Sequence, residues 1–405
     1  MNVVFVEPAF PPNQREFVRG LAAAGATVIG IGERPLEHMD SDLRGWMLHY
    51  HRVGNVTDVD AMTDAVRWVQ DRLWVDRLEA TVEAHTLAAA QVRENCTIPG
   101  TSVRTAWLCR DKPSMKEALR EVGVPTAAST AAHTATEVRD FAGRAGYPLI
   151  LKPRAAAGAS GTVRVDTPEE LDSALAGFGD ADSIAVEEFV EGHEGFYDTL
   201  TIDGNPEYDF VSHYYPNVLD AMRTRWISPQ FIATNRVDSA PDYGEVREMG
   251  RRVAHALGIG TSPTHMEWFF GPRGLRFSEI GCRPPGVRAW DLYAAGNDID
   301  IYHEWANAIV HGHVERRLSR RRAAGIIALR PDRDGTITHY DGIDEVHRRF
   351  GDHILDVHLP EPGTPTQPVE AGYMANAWIR MVHPDFDALR AMLDAVGETV
   401  QVRAS

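Results

Sequence analysis

The sequence predicts an α/β protein of more than one domain, and three observations carry that expectation. The chain opens with an apolar run, a loop, a helix-forming stretch and a second apolar run, an order that lays two strands side by side. Strand-like and helix-like segments then alternate to about residue 282. From Gly325 onward, short strands between Pro/Gly turns at 331–335 and 360–368 lead to a last helix at 384–396. That final portion reads as α+β. A length of 405 residues exceeds what one small core holds and fits two or three domains.

The elements follow in order. Residues 3–6 form a buried-type strand, and the loop after it carries Pro11 and Pro12. Asn13 is placed to cap a helix reaching about Ala24, and 27–31 is the next strand. This opening resembles a Rossmann-like half. Its loop, EPAFPPN, has no glycine fingerprint, so a dinucleotide is not expected there. Residues 58–74 read as an amphipathic helix, and Pro99-Gly100 marks a boundary near residue 100. A helix runs from Lys112 to Glu121, and Gly123 ends it before Val124-Pro125. Helices at 136–145 and 298–311 and a strand at 147–152 complete the main assignments. The expected divisions are 1–100, 101–315 and 316–405.

Composition excludes several classes. A formal net charge of −17 leaves no basic face for a general nucleic-acid binder. No window approaches the ~20 apolar residues of a membrane span. The start, MNVVFVEPAF, has no basic region and is broken by Pro8, so it reads as a first strand rather than a signal peptide. Cys96, Cys109 and Cys282 are the only cysteines, a sparse, odd set that points to a reducing, cytoplasmic compartment. Homo-oligomerisation is left open.

One compositional oddity goes further. Of 41 basic residues only Lys112, Lys116 and Lys152 are lysine. A chain that uses arginine almost everywhere keeps lysine where a compact ammonium is needed and a forked guanidinium fails. Lys152 and Lys112 sit in motifs that fit this; Lys116 is expected on an exposed helix face, retained by chance.

Three constellations carry chemistry. In YPLILKPRAAAGASGTVRV (147–165) an apolar strand ends at Lys152, a loop of small residues follows, and a second strand leaves. Small residues let backbone N–H groups approach an anion, and the lysine adds a point charge. The GxxxxGK[ST] pattern is absent, and a plain hairpin with a flexible tip fits the same residues. In IAVEEFVEGHE (184–194) a strand runs into a carboxylate-rich segment that could offer a hinge to an adenine edge and a carboxylate to ribose hydroxyls. An acidic, solvated turn is the alternative.

The third is the hairpin HMEWFFGPRGLRFSEI (265–280). A three-residue loop Pro272-Arg273-Gly274 pairs Gly271 with Leu275 and sets Glu267 opposite Glu279. Like charges facing across a ladder destabilise it, so something must neutralise them. A divalent cation does so; protonation of one carboxyl, or pairing with Arg276 or Arg283, are the alternatives. His311 and His313 are not expected to bind metal, and the arginine-rich run 316–322 reads as a solvated or interface stretch. Cys282 reads as inert, and Arg223 and Arg225 are candidates to reach a substrate anion.

With these residues in place, the chain resembles the ATP-grasp superfamily over nearly its full length. It is similar both to carboxylate–amine (amino-acid) ligases and to biotin carboxylase and carbamoyl-phosphate synthetase. The resemblance implies a Rossmann-like domain, a two-lobed ATP-grasp module with a lid lobe at about 125–190, and a small C-terminal α+β portion. It implies Lys112 and Lys152 as ATP lysines and Gly158, Ser160 and Gly161 as the mobile loop over the phosphates. Glu187, Glu188 and Val190 match the adenine hinge, Glu194 the ribose-binding acid, and Glu267 and Glu279 the metal acids. Gly281 stands where the family usually has a third, asparagine ligand, and Arg283 keeps a place suited to an oxyanion.

The implied cofactors are ATP and Mg²⁺, with Mn²⁺ as a substitute, and the partners are a small carboxylate and an amine. The implied reaction activates the carboxylate as an acyl phosphate, which the amine attacks to give an amide, ADP and phosphate. A bicarbonate-activating carboxylase and a non-catalytic ATP-binding scaffold are the alternatives. If Lys152 is the phosphate lysine, Lys152→Arg keeps the charge yet causes a large loss of ATP-dependent phosphate release; near-normal release would remove the main support for that assignment.

Overall fold

The computed structural model describes residues 1–154, 161–177, 184–222, 224–369 and 377–405. Its first sheet is parallel: β1 (Asn2–Val6), β2 (Thr27–Gly32), β3 (Met47–Arg52) and β4 (Arg77–Glu79), in the order β3-β2-β1-β4. Alternate residues of β1 serve opposite layers, as a strand covered on both faces requires. Val3 and Phe5 pack with Phe17 and Leu21 of the helix Gln14–Ala23, while Val4 and Val6 pack with Met62, Val66 and Val92 of the helices Val59–Gln70 and Glu83–Cys96. The order reverses at β1, which puts a topological switch point between the carboxyl ends of β1 and β4.

The second pattern is a small antiparallel sheet made of β5 (Ser129–Ala132), β6 (Leu149–Pro153), β7 (Val163–Val165) and β8 (Ile184–Glu188), ordered β5-β8-β6-β7. Val138 and Phe141 from the helix Ala135–Ala145 and Leu171 from Pro168–Gly177 cover Leu149, Leu151, Val165 and Val186. A capping box between Thr134 and Glu137 starts the first of these helices.

Among the described residues the largest sheet has eight strands. Its first five are β9 (His193–Ile202), β10 (Asn205–Tyr215), β11 (Gln230–Ala233), β12 (Ser262–Gly271) and β13 (Gly274–Gly281). Further along the chain come β14 (Ala323–Leu329), β15 (Ile337–Asp341), β16 (Ile354–His358), β17 (Ala377–His383) and β18 (Gln401–Ala404). The order is β13-β12-β9-β10-β11-β14-β17-β16, and β15 pairs with β18. The strands after residue 322 therefore extend the sheet that β9 begins.

Two kinds of junction hold these layers. Phe17 inserts between Trp290, Tyr302 and Trp305 at ring-centroid distances of 5.1, 4.9 and 5.0 Å. Gly20 lets the helix Gln14–Ala23 press onto Ile301–His311, since a Cβ there would stand 2.5 Å from the Tyr302 carbonyl oxygen. The small sheet has slighter ties to the large one. Phe277 N donates to Pro125 O at 2.8 Å, and Arg273 at the hairpin tip pairs with Glu188 at 3.0 Å.

Sequence expectation and structure differ mainly at helix ends, where caps decide. The helix expected at 298–311 begins only at Ile301, because Asp300 caps it and Asp298, at φ +56, closes the preceding helix Ala289–Asn297. The helix expected at 58–74 is Val59–Gln70 with Asp58 as its cap, and that at 384–396 is Phe386–Thr399 capped by Asp385. Lys112–Glu121 stands as expected, with Gly123 at φ +72 beyond it. Asn13 is the N-cap residue, but its side chain makes no capping bond.

Two glycines separate packing from conformational entropy. A Cβ on Gly195 of β9 would lie 2.4 Å from the Trp268 ring, whereas Gly143, in Ala135–Ala145, has open space. Gly195→Ala should lower stability by about 1–3 kcal/mol, and Gly143→Ala should raise it by about 0.5–1 kcal/mol. Denaturant unfolding of the two variants checks this, and equal shifts would contradict it.

Candidate active site

The small sheet, the helix Lys112–Glu121 and the edge of the large sheet bring all three lysines of the chain to one place. Lys112 Nζ lies 3.1 Å from Glu279 Oε2 of β13. One helical turn on, Lys116 Nζ lies 2.6 Å from Glu187 Oε2 of β8, and Lys152 Nζ of β6 reaches the same oxygen at 3.0 Å. Lys112 and Lys116 share a helix face at i, i+4, where like charges repel, and each has its own carboxylate. Asp111 caps that helix by accepting from Ser114 N and also pairs with Arg154, fixing the helix start against the end of β6.

Lys116 corrects the sequence reading. It was expected on an exposed face and is instead 1% exposed. The signal lay in the lysine count itself, which applied to all three residues.

Electrostatics follow burial and pairing. Burial alone would raise the Glu187 carboxyl, but Lys116 and Lys152 outweigh it and hold it down at about 2. Its other oxygen, Oε1, is buried and has no hydrogen-bond partner among the described residues. Burial lowers the Lys116 ammonium to about 8 despite Glu187. For Lys152 burial also pulls down, yet Glu187, Glu279 and Glu267 together leave it raised.

The acidic pair lies on the ladder by a different route from the one expected. Gly271 pairs with Gly274, not Leu275, so the turn is one residue shorter. A register shift after Glu267, which leaves Ser278 unpaired, then restores Glu267 opposite Glu279. The shorter turn and the bulge offset each other. Neutralisation also differs from the alternatives considered for it: Lys112 stands beside Glu279, and His265 Nε2 lies 3.6 Å from Glu267 Oε1.

His265 belongs to a buried chain that the sequence reading missed. Its Nδ1 meets Asp198 Oδ1 at 2.7 Å, and Tyr293 Oη donates to the other Asp198 oxygen. Burial would lower the imidazole, but Asp198 outweighs it and raises it to about 9, so His265 is a cation beside Glu267. An aspartate inside the apolar strand β9 was the available signal. Glu194, four residues before Asp198, is buried on the same face. Burial, then Glu267, pushes its carboxyl well up, and one oxygen accepts from Val218 N at 2.7 Å.

The remaining candidates are placed as follows. Gly158, Ser160 and Arg223 lie outside the described residues, whereas Gly161 is described, exposed and at φ +68. The Glu188 side chain is taken by Ala128 N and Arg273, away from the lysines. Val190 is half-buried just beyond β8. Arg283 donates through Nε and Nη2 to Glu83 Oε2, at 3.0 and 2.6 Å, and lies against Gly281. Arg225 pairs with Asp334. In the run 316–322, Arg320 and Arg322 are not simply solvated: they pair with Asp209 and Asp298. The His311 ring meets the Ala24 carbonyl.

Fold and site together resemble the ATP-grasp class, with lysines and acids on facing strands of a small antiparallel sheet and a larger one. The family model described as "Carbamoyl-phosphate synthase L chain, ATP binding domain" matches residues 111–196, the stretch that carries all three lysines and Glu187. Proteins similar to this chain include L-amino acid ligases. The L-arginine-specific L-amino acid ligase of Bacillus subtilis is 27% identical over 323 residues, covering 78% of this chain and 76% of that protein. The uncharacterized protein y4rH of Sinorhizobium fredii is 25% identical over 325 residues, covering 77% of this chain, and the match spans only 64% of that longer protein. Among solved structures, the L-amino acid ligase from Bacillus licheniformis superposes with a TM-score of 0.80 at 19% identity, covering 100% of this chain and 98% of that one.

Cys109 and Cys282 face each other in the core, Sγ to Sγ at 2.8 Å. The hydrogen bond from Cys282, with burial, pushes the Cys109 thiol well above its ordinary value. Cys109 should therefore resist iodoacetamide at pH 8 in the native protein and react on unfolding, as peptide mass analysis would read; rapid native labelling would contradict this.

Proposed function

We propose that the protein is an ATP- and Mg²⁺-dependent ligase that joins a small carboxylate to an amine through an acyl phosphate. The observation that carries this reading is Glu187. One of its oxygens holds two lysines, and the other is a buried acceptor without a partner among the described residues. A buried acceptor needs a donor, and the exocyclic amino group of adenine supplies one while the lysines beside it suit the phosphates. Glu188 and Val190 line the hinge through their backbone, and Glu194 serves the ribose side. Gly158, Ser160 and Gly161 are assigned to phosphate binding.

Glu267 and Glu279 face each other across the ladder, which fits a divalent cation. Among the described residues no three His, Cys, Asp or Glu side chains gather to hold an ion. Glu267 and Glu279 would share it with phosphate oxygens, as Mg²⁺ commonly allows. When bound, the cation supplies charge neutralisation at the phosphates.

This chain's residues account for the remaining steps. Lys112 and Lys152 turn from their carboxylates to the phosphates and absorb charge as the substrate carboxylate attacks. His265, held cationic by Asp198, stands beside Glu267 and offsets its charge. Arg283, oriented by Glu83, stabilises the oxyanion formed when the amine attacks the acyl phosphate. The three thiols, all free, fit a reducing compartment such as the cytoplasm.

Phosphate release from Mg-ATP, screened against amino-acid pairs and against bicarbonate, tests the reading. Release is expected only when a carboxylate and an amine are both present. Glu267→Gln or Glu279→Gln should lower it by roughly 100-fold or more. Dependence on bicarbonate without an amine would replace the ligase with a carboxylase, and ATP binding without turnover on any substrate would leave a scaffold.

A further inference from the structure

Lys116 has no place in the reaction just described, yet it is the most deeply buried of the three lysines. It holds the closest ion pair in the cluster, 2.6 Å to Glu187 Oε2. Lys152 holds the same oxygen at 3.0 Å.

Two ammonium groups on one carboxylate oxygen exceed what neutrality requires. The excess becomes necessary once Lys152 moves. A lysine that turns to a phosphate leaves its former partner behind, and a buried carboxylate stripped of its only cation is strongly disfavoured. The ion pair would then compete with the nucleotide for Lys152. The surroundings of the two lysines differ in the sense this needs. Lys152 is the more open, with a side chain 12% exposed against 1%, and it feels Glu279 and Glu267 as well as Glu187. Lys116 is enclosed on the buried face of its helix.

We infer that Lys116 is a positioning residue, the resident cation of Glu187 whose permanent ion pair frees Lys152 to bind phosphate. This rests on the proposed ATP site and adds a division of labour within it. Glu187 stays ionised and in place, with Oε1 turned to the adenine, whichever partner Lys152 has. Lys116 touches neither the nucleotide nor the reacting atoms.

The test compares dissociation constants for ATP and for adenosine, which lacks phosphates, in folded variants checked by circular dichroism. In Lys116→Met, Lys152 becomes the sole partner of Glu187 and is withheld from phosphate. ATP affinity should fall by at least about tenfold, the scale of one charge-assisted hydrogen bond, with adenosine affinity unchanged. In a Glu187→Gln background no charge holds Lys152, so adding Lys116→Met should no longer weaken ATP selectively. Lys116→Arg, which keeps the cation and serves if the methionine variant does not fold, should preserve the ATP-to-adenosine ratio. Equal losses for ATP and adenosine, the same selective loss in both backgrounds, or a ratio that collapses in Lys116→Arg would each overturn the inference. An unaltered Lys116→Met in a protein that prefers ATP to adenosine overturns it alone. A wild-type protein with no such preference overturns the proposed ATP site as well.

Discussion

A carboxylate withdrawn from water must keep a cation beside it, and the centre of this protein is arranged around that requirement. Glu187, Glu267 and Glu279 come from strands of two different sheets, and each has its own positive partner: Lys116 with Lys152, His265 and Lys112. His265 and Glu267 are neighbours on β12, but the lysine pairs join residues distant in sequence. The helix Lys112–Glu121 must lie against both β8 and β13 for its two lysines to reach both acids. The charges thus position the small sheet against the large one, and the apolar layers on either side keep water from weakening them.

The same arrangement explains how binding and folding can share residues. Every cation that the proposed reaction uses is already engaged with a carboxylate. A nucleotide arriving with phosphates offers equivalent anions, so charges exchange partners rather than being exposed or buried afresh. Such exchange needs little reorganisation, which is what a preorganised electrostatic site supplies.

Much of this was legible in the sequence, and what was missed has physical causes. Lys152 at a strand end before small residues, and Glu267 facing Glu279, were readable because both depend on local pattern. The facing pair was reached through a wrong turn length, and the bulge at Ser278 made good the difference. Bulges leave no reliable trace in a hydrophobic alternation. Lys116 was misplaced because helical periodicity reports which face is apolar, and a buried charge breaks that rule whenever a distant partner exists. The pairings of Asp198 and Glu83 were not readable for the same reason: their partners, His265 and Arg283, lie 67 and 200 positions away. Nor could the strands after residue 322 be assigned to the sheet begun by β9, since register across such a gap is set by tertiary packing.

The placement of the lysines has one further consequence, for the chemistry of side reactions. Acyl phosphates acylate amines without discrimination, and the usual casualties on a protein are its surface lysines. This chain has none to offer: its three lysine amines are buried or nearly so, and each is held as an ammonium ion against a glutamate. Arginine, which carries the rest of the positive surface, stays protonated and is a poor nucleophile. An activated acid that escaped the cleft would meet a surface with no lysine to modify, and the protein would be spared self-acylation by its own intermediate.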